Sequence, residues 1–364
     1  MTAYAIMKVK KGEVKPVLSD DIYALDEKFK SRTPAPEPIL KYLPKVPYWY
    51  MRDMNLSPDF RVSMEEFMKA YEKTKLPKVD GVIAVDTHLL LNLLRVLGPV
   101  GVSGYGTFSA EEVPACNCPQ VIYELESFAD KATPFIRDDR KAILGPLMNS
   151  ILANVLGSPK EKLPALFEVG MNALQEKHVL FYFPEGGAQE AVEAFGIAGR
   201  INPYDGDYLA IIDTNFAGAK SNLYVEQQVE QEVEISSDGA VTKTVTINYK
   251  NPQKYDGWLN GEYRDWFRVY VPKGSELVDS SGSEVEVKTE EELGKTVFSG
   301  FFTMRPLGVT KLVLTYKLPF RVEGEYKVLI QKQGGVEGPF YTVKVGKKTE
   351  EFNLEKDKEL NFGL

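Results

Sequence analysis

The chain has 364 residues, of which 43% are hydrophobic and 26% are charged, enough for about two globular domains with separate cores. Its 52 acidic and 44 basic residues give a formal net charge of -8, which argues against a general nucleic-acid binder, because such proteins need a basic face. No run approaches the roughly 18 apolar residues of a membrane span, and the first residues lack the apolar core of a signal peptide. We therefore expect the chain as given to be soluble.

The first 50 residues predict a hairpin followed by a proline-rich loop. Residues 3–9 and 13–17 read as strands joined by a turn at Lys11-Gly12. Repeated prolines between Pro34 and Pro47 fix φ and remove backbone donors, which favours an ordered loop packed against a surface. Since the chain opens within a hairpin, we expect it to be part of a longer protein; an open reading frame beginning at Met1 would contradict this.

The next two segments predict a helix and an α/β unit. Ser63 and Glu66 form an S-x-x-E capping box, which predicts a helix beginning at Ser63. Residues 79–86 are a short run rich in β-branched residues, closed by Asp86 and followed by apolar residues at helical spacing up to Gly98. Asp86 therefore falls at the C-terminal end of a strand, where open α/β sheets usually place their ligand sites.

The rest of the chain predicts two different folds in succession. Helices are predicted over 139–156, 162–177 and 188–195, and strands over 178–183 and 208–213. This alternation predicts a layered α/β domain over residues 1–222. Residues 223–364 instead contain alternating strand patterns between Gly- and Pro-containing turns, which predict an all-β sandwich of the immunoglobulin type.

The cysteines and histidines give weak signals. A disulfide between Cys116 and Cys118 would span one intervening residue, and a zinc site would need more ligands than they supply, so we expect two small buried residues. His88 and His178 show no metal-binding spacing, and His178 begins an apolar strand, so we expect it to be structural. The chain also lacks a G-x-S-x-G elbow and a P-loop, which excludes ordinary serine hydrolases and nucleotidases.

A charged loop before the first predicted long helix is the first candidate site. It contains Arg52, Asp53, Asp59 and Arg61. Guanidinium groups match phosphate oxygens, and a helix start adds unpaired N–H donors. The two aspartates beside them could hold Mg²⁺. The alternative is a set of Arg–Asp ion pairs that only stabilise the loop.

Two other places carry candidate chemistry. Arg137, Arg140 and Lys141 have i, i+3, i+4 spacing, so on one helix they share a face that could bind a polyanion; the alternative is a solvated helix end. Asp86 could act as a base or metal ligand, or cap the next helix. For Asp213, after the later strand, the same question stays open.

These segments resemble an uncharacterised family of bacterial envelope-associated proteins, domain of unknown function four thousand and twelve. The resemblance lies in five motifs in order: Arg52-Asp53 with Ser57-Pro58-Asp59-Phe60, residues 79–86, Leu97-Gly98-Pro99-Val100, residues 176–183 and residues 213–220. Members usually carry an upstream membrane segment. The resemblance therefore implies an extracytoplasmic, cell-surface protein that is membrane-anchored in its full-length form.

A more distant similarity is to the LytR-CpsA-Psr phosphotransferases. It lies in residues 79–86 with the following helix and Gly98-Pro99-Val100, and in Arg137-x-x-Arg140-Lys141. Those enzymes transfer glycopolymers from a polyprenyl diphosphate carrier to the cell wall, with arginines on the diphosphate and acidic residues on Mg²⁺. The chain departs from them in lacking their strand followed by Pro-Arg-Asp and in having Lys141 where they have glutamine.

This similarity implies a role for each candidate residue. The catalytic residues would be Asp86, Arg137 and Arg140; the phosphate-binding residues Arg52, Arg61, Arg137, Arg140 and Lys141; and the Mg²⁺ ligands Asp53 and Asp59. The expected function is binding of a polyprenyl-phosphate-linked glycopolymer. If the chain is an enzyme, it would also transfer this glycopolymer. The alternative is a noncatalytic surface module that recognises glycan or protein, favoured by the aromatic segment 255–266.

Overall fold

A computed structural model describes residues 1–30, 33–43, 45–130 and 143–364. The chain divides into two compact units. The N-terminal unit comprises Met1–Ala35 and Pro47–Arg200, and the C-terminal unit comprises Pro36–Val46 and Ile201–Leu364. The division therefore falls at Arg200, earlier than the predicted boundary at residue 222.

The described residues form helices and strands with the following bounds. The α-helices are α1 (Ile22–Lys28), α2 (Glu37–Tyr42), α3 (Phe60–Tyr71), α4 (Thr87–Leu97), α5 (Gln120–Asp130), α6 (Leu144–Leu156), α7 (Leu163–Gln175) and α8 (Gly186–Ala194). The strands are β1 (Ala3–Lys10), β2 (Glu13–Asp21), β3 (Val82–Val85), β4 (Val100–Val102), β5 (Gly106–Phe108), β6 (Glu112–Val113), β7 (Cys118–Pro119), β8 (Val179–Tyr182), β9 (Asp207–Ile212), β10 (Glu226–Ile235), β11 (Ala240–Lys250), β12 (Tyr263–Pro272), β13 (Glu276–Ser281), β14 (Lys288–Glu292), β15 (Lys295–Met304), β16 (Val309–Arg321), β17 (Glu325–Gln331), β18 (Phe340–Val345), β19 (Lys348–Asn353) and β20 (Lys358–Gly363). Within these ranges no helix has the length and apolar character needed to cross a bilayer.

The N-terminal unit confirms most predicted elements but corrects one helix start. β1 and β2 form the predicted antiparallel hairpin. Helix α3 begins at Phe60 with Asp59 as its N-cap, three residues before the predicted start, because the Asp59 carboxylate accepts the backbone N–H of Val62. The Ser63 hydroxyl instead donates to the carbonyl oxygen of Ser57 at 2.9 Å. The capping-box motif therefore lies inside the helix.

The strands of the N-terminal unit differ from the layered sheet that the sequence predicts. Among the described residues they form two-stranded antiparallel sheets, one of which joins β3 to β8 with Val85 opposite Val179. The predicted strand over 208–213, now β9, pairs instead with β12 and β17 of the C-terminal unit. This pairing is why the unit boundary lies earlier than predicted.

The cysteines also differ from expectation, because they form a disulfide. The Cys116–Cys118 bond closes a tight turn between β6 and β7, with the Cα atoms 5.2 Å apart. Asn117 between them has φ 48°, in the left-handed region that asparagine tolerates better than most residues. This turn brings the two Cα atoms within the ordinary disulfide range.

The C-terminal unit is mostly β-sheet, as predicted. It contains two six-stranded sheets, in the orders β13-β16-β11-β10-β18-β19 and β14-β15-β12-β9-β17-β20. Both sheets contribute to one buried hydrophobic cluster, for example Val245 and Leu314 from the first sheet and Phe267 and Val328 from the second. Every second residue of β11 is buried, as expected for a strand with one face on a core.

Burial in this core predicts the effect of a matched pair of substitutions. Val245 of β11 is fully buried, whereas Val309 of the neighbouring strand β16 is 75% exposed. We expect Val245→Ala to lower the free energy of unfolding by about 2 kcal/mol, because it removes buried apolar area and leaves a cavity. Val309→Ala should change it by less than about 0.5 kcal/mol. Urea denaturation of both variants checks this, and equal effects would contradict it.

Candidate metal centre

Three side chains of the N-terminal unit bring donor atoms to one point. The Nδ1 atom of His178 lies 2.6 Å from Oδ2 of Asp86, and the Nδ1 atom of His88 lies 3.6 Å from the same oxygen. The two imidazole rings stack with their centroids 4.5 Å apart. One donor atom from each residue lies within 4.8 Å of the others, an arrangement that no other His, Cys, Asp and Glu side chains adopt in the described part of the chain. We call this group the Asp86–His88–His178 cluster.

The local fold holds Asp86 and His88 together at one helix end. β3 ends at Val85, and Asp86 follows as the N-cap of α4, with Oδ1 accepting the backbone N–H of His88 at 2.9 Å. Asp86 therefore caps the next helix, which is one of the roles that the sequence left open for it. Its second oxygen, Oδ2, is the one that faces the imidazoles.

Strand pairing brings in the third member from a distant part of the chain. β8 runs antiparallel to β3, and the ladder continues beyond Val85 and Val179 to a bond from the Asp86 N–H to the His178 carbonyl oxygen, 3.2 Å long. Residues opposite each other on antiparallel strands have neighbouring side chains. The imidazole of His178 therefore lies beside the carboxylate of Asp86.

The surroundings keep the carboxylate of Asp86 ionised. Burial raises the pKa of Asp86, but hydrogen bonds and charge interactions with His178 and His88 outweigh it, so the pKa lies well below its ordinary value. The His178 side chain is only 6% exposed, whereas the side chains of Asp86 and His88 are about one quarter exposed. The cluster is thus anchored by a buried ring and reachable by small ligands.

Two imidazoles and one carboxylate are a donor set for a divalent transition-metal ion. Zn²⁺ binds such sets in sites with three protein ligands and an open position, whereas Mg²⁺ prefers oxygen donors alone. In the structure, Nδ1 of His178 and Oδ2 of Asp86 share a hydrogen bond, and a metal ion would replace its proton. The cluster therefore fits Zn²⁺ or a similar ion, whereas the sequence predicted Mg²⁺ at other residues, Asp53 and Asp59.

The sequence-predicted Arg52 and Asp53 lie in an aromatic and acidic pocket of their own. Arg52 donates to Asp26 at 2.6 Å, and its guanidinium stacks on the Tyr50 and Tyr23 rings, 4.1 Å and 4.8 Å from their centroids. Asp53 lies 3.7 Å from Arg52, and burial raises the pKa of its carboxyl above the ordinary value despite that arginine. These contacts match the alternative in which Arg–Asp ion pairs only stabilise the loop.

Asp59 and Arg61 belong to a second network. Asp59 is almost fully buried and accepts the Nε donor of Arg200 at 2.8 Å. Arg61 pairs with Glu65 at 2.8 Å and with Glu193 at 3.2 Å, and Glu193 also pairs with Arg200. Arg52 and Arg61 thus bind different carboxylates, and these contacts do not bring them together as one phosphate cradle. The other predicted cations, Arg137, Arg140 and Lys141, lie outside the described residues.

The role of Asp59 can be tested by two substitutions. We expect Asp59→Ala to lower the free energy of unfolding of the N-terminal unit by about 2–4 kcal/mol, because it removes both the helix cap and the partner of Arg200. Asp59→Asn keeps an acceptor for the helix cap, so it should lower the free energy of unfolding by about half as much. Urea denaturation followed by tyrosine fluorescence measures both. Wild-type stability in the alanine variant would instead leave Asp59 available as a ligand.

Asp213, which the sequence left open, lies beside Asp265 in the C-terminal unit. Asp213 accepts hydrogen bonds from the Tyr249 hydroxyl at 2.7 Å and from Gln227 at 2.8 Å. Burial raises the pKa of Asp265 well above its ordinary value, and the nearby charge of Asp213 raises it further. The pKa of Asp213 is also raised, mainly by burial. This pair is a buried acid pair rather than a metal site, since protonation resolves its charge.

Comparison with known proteins supports part of the resemblance. Residues 1–121 match the model of a family described as protein of unknown function DUF4012, which confirms the first resemblance over that part of the chain. No curated protein matches the sequence. The similarity to LytR-CpsA-Psr phosphotransferases stays a prediction.

Solved structures similar to the chain are remote. A protein provisionally named a nutrient binding protein, from Legionella pneumophila, is 11% identical, with a TM-score of 0.24 over 38% of this chain and 56% of that chain. An M1 zinc metallopeptidase from Deinococcus radiodurans is 12% identical, with a TM-score of 0.20 over 33% of this chain and 31% of that chain. The chain thus spans about half of the first protein and about a third of the second. Neither supports a conclusion about function.

Proposed function

We propose that the N-terminal unit is a metal-dependent binding module of the bacterial cell envelope that takes the phosphate end of a polyprenyl-phosphate-linked glycopolymer. The observation that carries the proposal is the convergence of Asp86, His88 and His178. A transition-metal ion held by three protein ligands keeps an open position, and a phosphate oxygen is a suitable ligand for it. The metal would supply the positive charge that the sequence assigned to Arg52 or Arg61, on the side of the phosphate opposite Arg137 and Arg140.

Exposed apolar side chains on the strand and the helix that lead to the cluster support a lipid-linked ligand. Ile83 and Val85 of β3, directly before Asp86, are each 57% exposed. On α7, which leads towards His178, three side chains four residues apart are also exposed: Leu163, Phe167 and Met171. Exposed apolar groups of this kind mark contacts with lipid or protein. An isoprenoid chain attached to a metal-bound phosphate would cover such a surface.

The family resemblance supplies the other parts of the proposal. It implies an extracytoplasmic location and an upstream membrane anchor, and the alternating strand pattern adds an immunoglobulin-like sandwich for the C-terminal unit. Transfer of the glycopolymer is a further step that would use Arg137 and Arg140 on the diphosphate, with Mg²⁺ as the cofactor that the similarity implies. Binding alone does not need that step.

The noncatalytic surface module is the second candidate, and the aromatic segment 255–266 gives it limited support. Tyr255 is exposed, but Tyr263 and Trp266 are buried. The Trp266 ring packs against the guanidinium of Arg268, 4.1 Å from its centroid. Because two of the four aromatic rings of this segment are buried and stabilise the unit itself, we favour the metal-dependent module.

The test is co-sedimentation of the full chain with phosphatidylcholine vesicles that contain a polyprenyl diphosphate. We expect tight binding with Zn²⁺ and more than about tenfold weaker binding after chelation with EDTA, since a lost metal–phosphate contact is worth at least ~1.4 kcal/mol. Vesicles with phosphatidylglycerol in place of the polyprenyl diphosphate control for general attraction to anionic lipid. Binding that is unchanged by EDTA, or equal to both anionic vesicles, would contradict the proposal.

A further inference from the structure

A lysine and an aspartate meet in the hydrophobic core of the C-terminal unit. Lys243 lies on the core-facing side of β11, between Val241 and Val245, where an apolar residue is expected. Its Nζ atom lies 2.5 Å from Oδ2 of Asp207, at the start of β9 in the other sheet. Both side chains are completely buried. The pair therefore links the two sheets in a place without solvent.

Asp207 is held on both oxygens. Its Oδ1 accepts the backbone N–H of Tyr208 at 2.8 Å, and its Oδ2 accepts the hydroxyl of Tyr326 as well as the Lys243 amine. Tyr326 lies on β17, the strand that pairs with β9. These bonds fix the carboxyl group, so its Cγ atom is held next to the lysine nitrogen.

Burial favours the neutral form of the Lys243 amine. A buried ion pair loses the hydration of two charges, and its mutual attraction repays this only in part. Burial lowers the pKa of the Lys243 amine below its ordinary value. Transfer of the shared proton along the 2.5 Å contact would leave a neutral amine beside a carboxylic acid, which is the starting state of the step proposed below. A neutral amine is a nucleophile, and an acid in contact with it is its electrophile.

We propose that Lys243 and Asp207 join in an amide bond between the two sheets. The amine lone pair of Lys243 attacks Cγ of the protonated Asp207 carboxyl, and a C–N bond forms. The C–Oδ2 bond breaks, and its oxygen leaves as water with the acid proton and one proton from the amine. The step is a condensation with no change of oxidation state, so it needs no co-reactant.

Two features of the core would promote this step. Fixed contact between the reacting groups replaces the entropy loss of a bimolecular reaction, which is worth effective molarities of about 10⁵ M or more in well-oriented cases. The Tyr208 N–H already donates to Oδ1, where negative charge develops as the amine attacks, and the Tyr326 hydroxyl donates to Oδ2, the oxygen that leaves as water, and assists its departure. The bond would then tie β9, near the start of the C-terminal unit, to β11 of the opposite sheet.

The test is the intact mass of the purified full chain, measured after denaturation and reduction, so that Cys116–Cys118 does not contribute. We expect a mass lower than that of the sequence by one water molecule, and tryptic digestion should give a branched peptide that contains both Lys243 and Asp207. Lys295→Met is the matched control, because Lys295 is also buried beside Tyr208, and it should keep the loss. Lys243→Met and Asp207→Ala should each show the full mass of their sequence.

Three results would overturn parts of this inference. If the wild-type mass still equals that of the sequence after prolonged incubation of the folded chain, Lys243 and Asp207 form only an ion pair and no amide bond. A water loss that persists in Lys243→Met, as a succinimide at Asp205-Gly206 would give, would place the chemistry elsewhere. Freshly purified Tyr326→Phe should contain a fraction without the amide bond. Complete bond formation in that variant would show that the Tyr326 hydroxyl takes no part in the step. The wild-type mass decides the main question even if a variant fails to fold.

Discussion

Replacement of His178 by alanine lowers the affinity of the chain for Zn²⁺ by more than about a hundredfold. His178 supplies one of three donors, and its buried ring is fixed between Asp86 and β8. Removing a residue that only hydrogen-bonds a metal ligand typically lowers the metal affinity roughly ten- to hundredfold, so removing a direct ligand should lower it more. Isothermal titration with Zn²⁺ in competition with a chelator measures the change.

Two variants control this prediction. His88→Ala should reduce the affinity to a similar degree, because His88 supplies another donor to the same point. Glu176→Gln should reduce it less, by about tenfold, since Glu176 is an outer-shell partner, 3.6 Å from Nε2 of His178, and supplies no donor to the metal. Zn²⁺ affinities that are equal in the wild type, His178→Ala and His88→Ala would show that the cluster is not the metal centre.

Replacement of Asp265 by asparagine flattens the pH dependence of stability of the C-terminal unit. Burial raises the pKa of Asp265 well above its ordinary value in the folded state, so the folded chain retains a proton that the unfolded chain loses. Below the unfolded pKa both states are protonated, and the wild type keeps its full stability. As pH rises above about 4 the unfolded state ionises first, and the free energy of unfolding falls by up to about 1.4 kcal/mol per pH unit until the folded pKa is reached.

An amide cannot ionise, so this loss should be absent in Asp265→Asn. Urea denaturation between about pH 5 and about pH 8 should give a difference between variant and wild type that grows in favour of the variant as pH rises. Asp279→Asn, at an exposed position of β13, controls for the general effect of removing a carboxylate and should run parallel to the wild type. Parallel curves for Asp265→Asn as well would mean that Asp265 is ionised in the folded protein.

Local sequence patterns predicted most of the single elements. The apolar run before Asp86 and the helical spacing after it correspond to β3 and α4, and the alternating segments after residue 223 correspond to long strands of the C-terminal unit. These patterns are local, because a strand or helix that packs on a core must show its own periodicity. Helix starts were predicted less accurately. Asp59 caps α3 although Ser63 carries the capping-box motif.

The candidate metal centre could not be predicted in the same way. His88 follows Asp86 closely, but His178 is distant in the sequence and is brought in by antiparallel pairing of β3 with β8. Strand partners depend on packing of the whole unit, which short apolar runs do not specify. The one available signal was the Asp-x-His order directly after a strand, and a second histidine at the start of another strand.

Two other differences have the same cause. β9 carries a strand pattern that fits either unit, and its pairing with β12 and β17 places it in the C-terminal one. Lys243 and Asp207 look like ordinary surface charges in sequence, but alternation along β11 and pairing across the core bury both. Charged residues at core-facing positions are visible in a sequence only when the register is known.

The most direct test of the metal centre is X-ray absorption of the chain loaded with one equivalent of Zn²⁺. The account predicts a first shell with two imidazole nitrogens and one carboxylate oxygen at about 2.0–2.2 Å, and the loss of one imidazole contribution in His178→Ala. A first shell of oxygen atoms alone, or a spectrum that His178→Ala leaves unchanged, would show that Zn²⁺ binds elsewhere and would contradict the account.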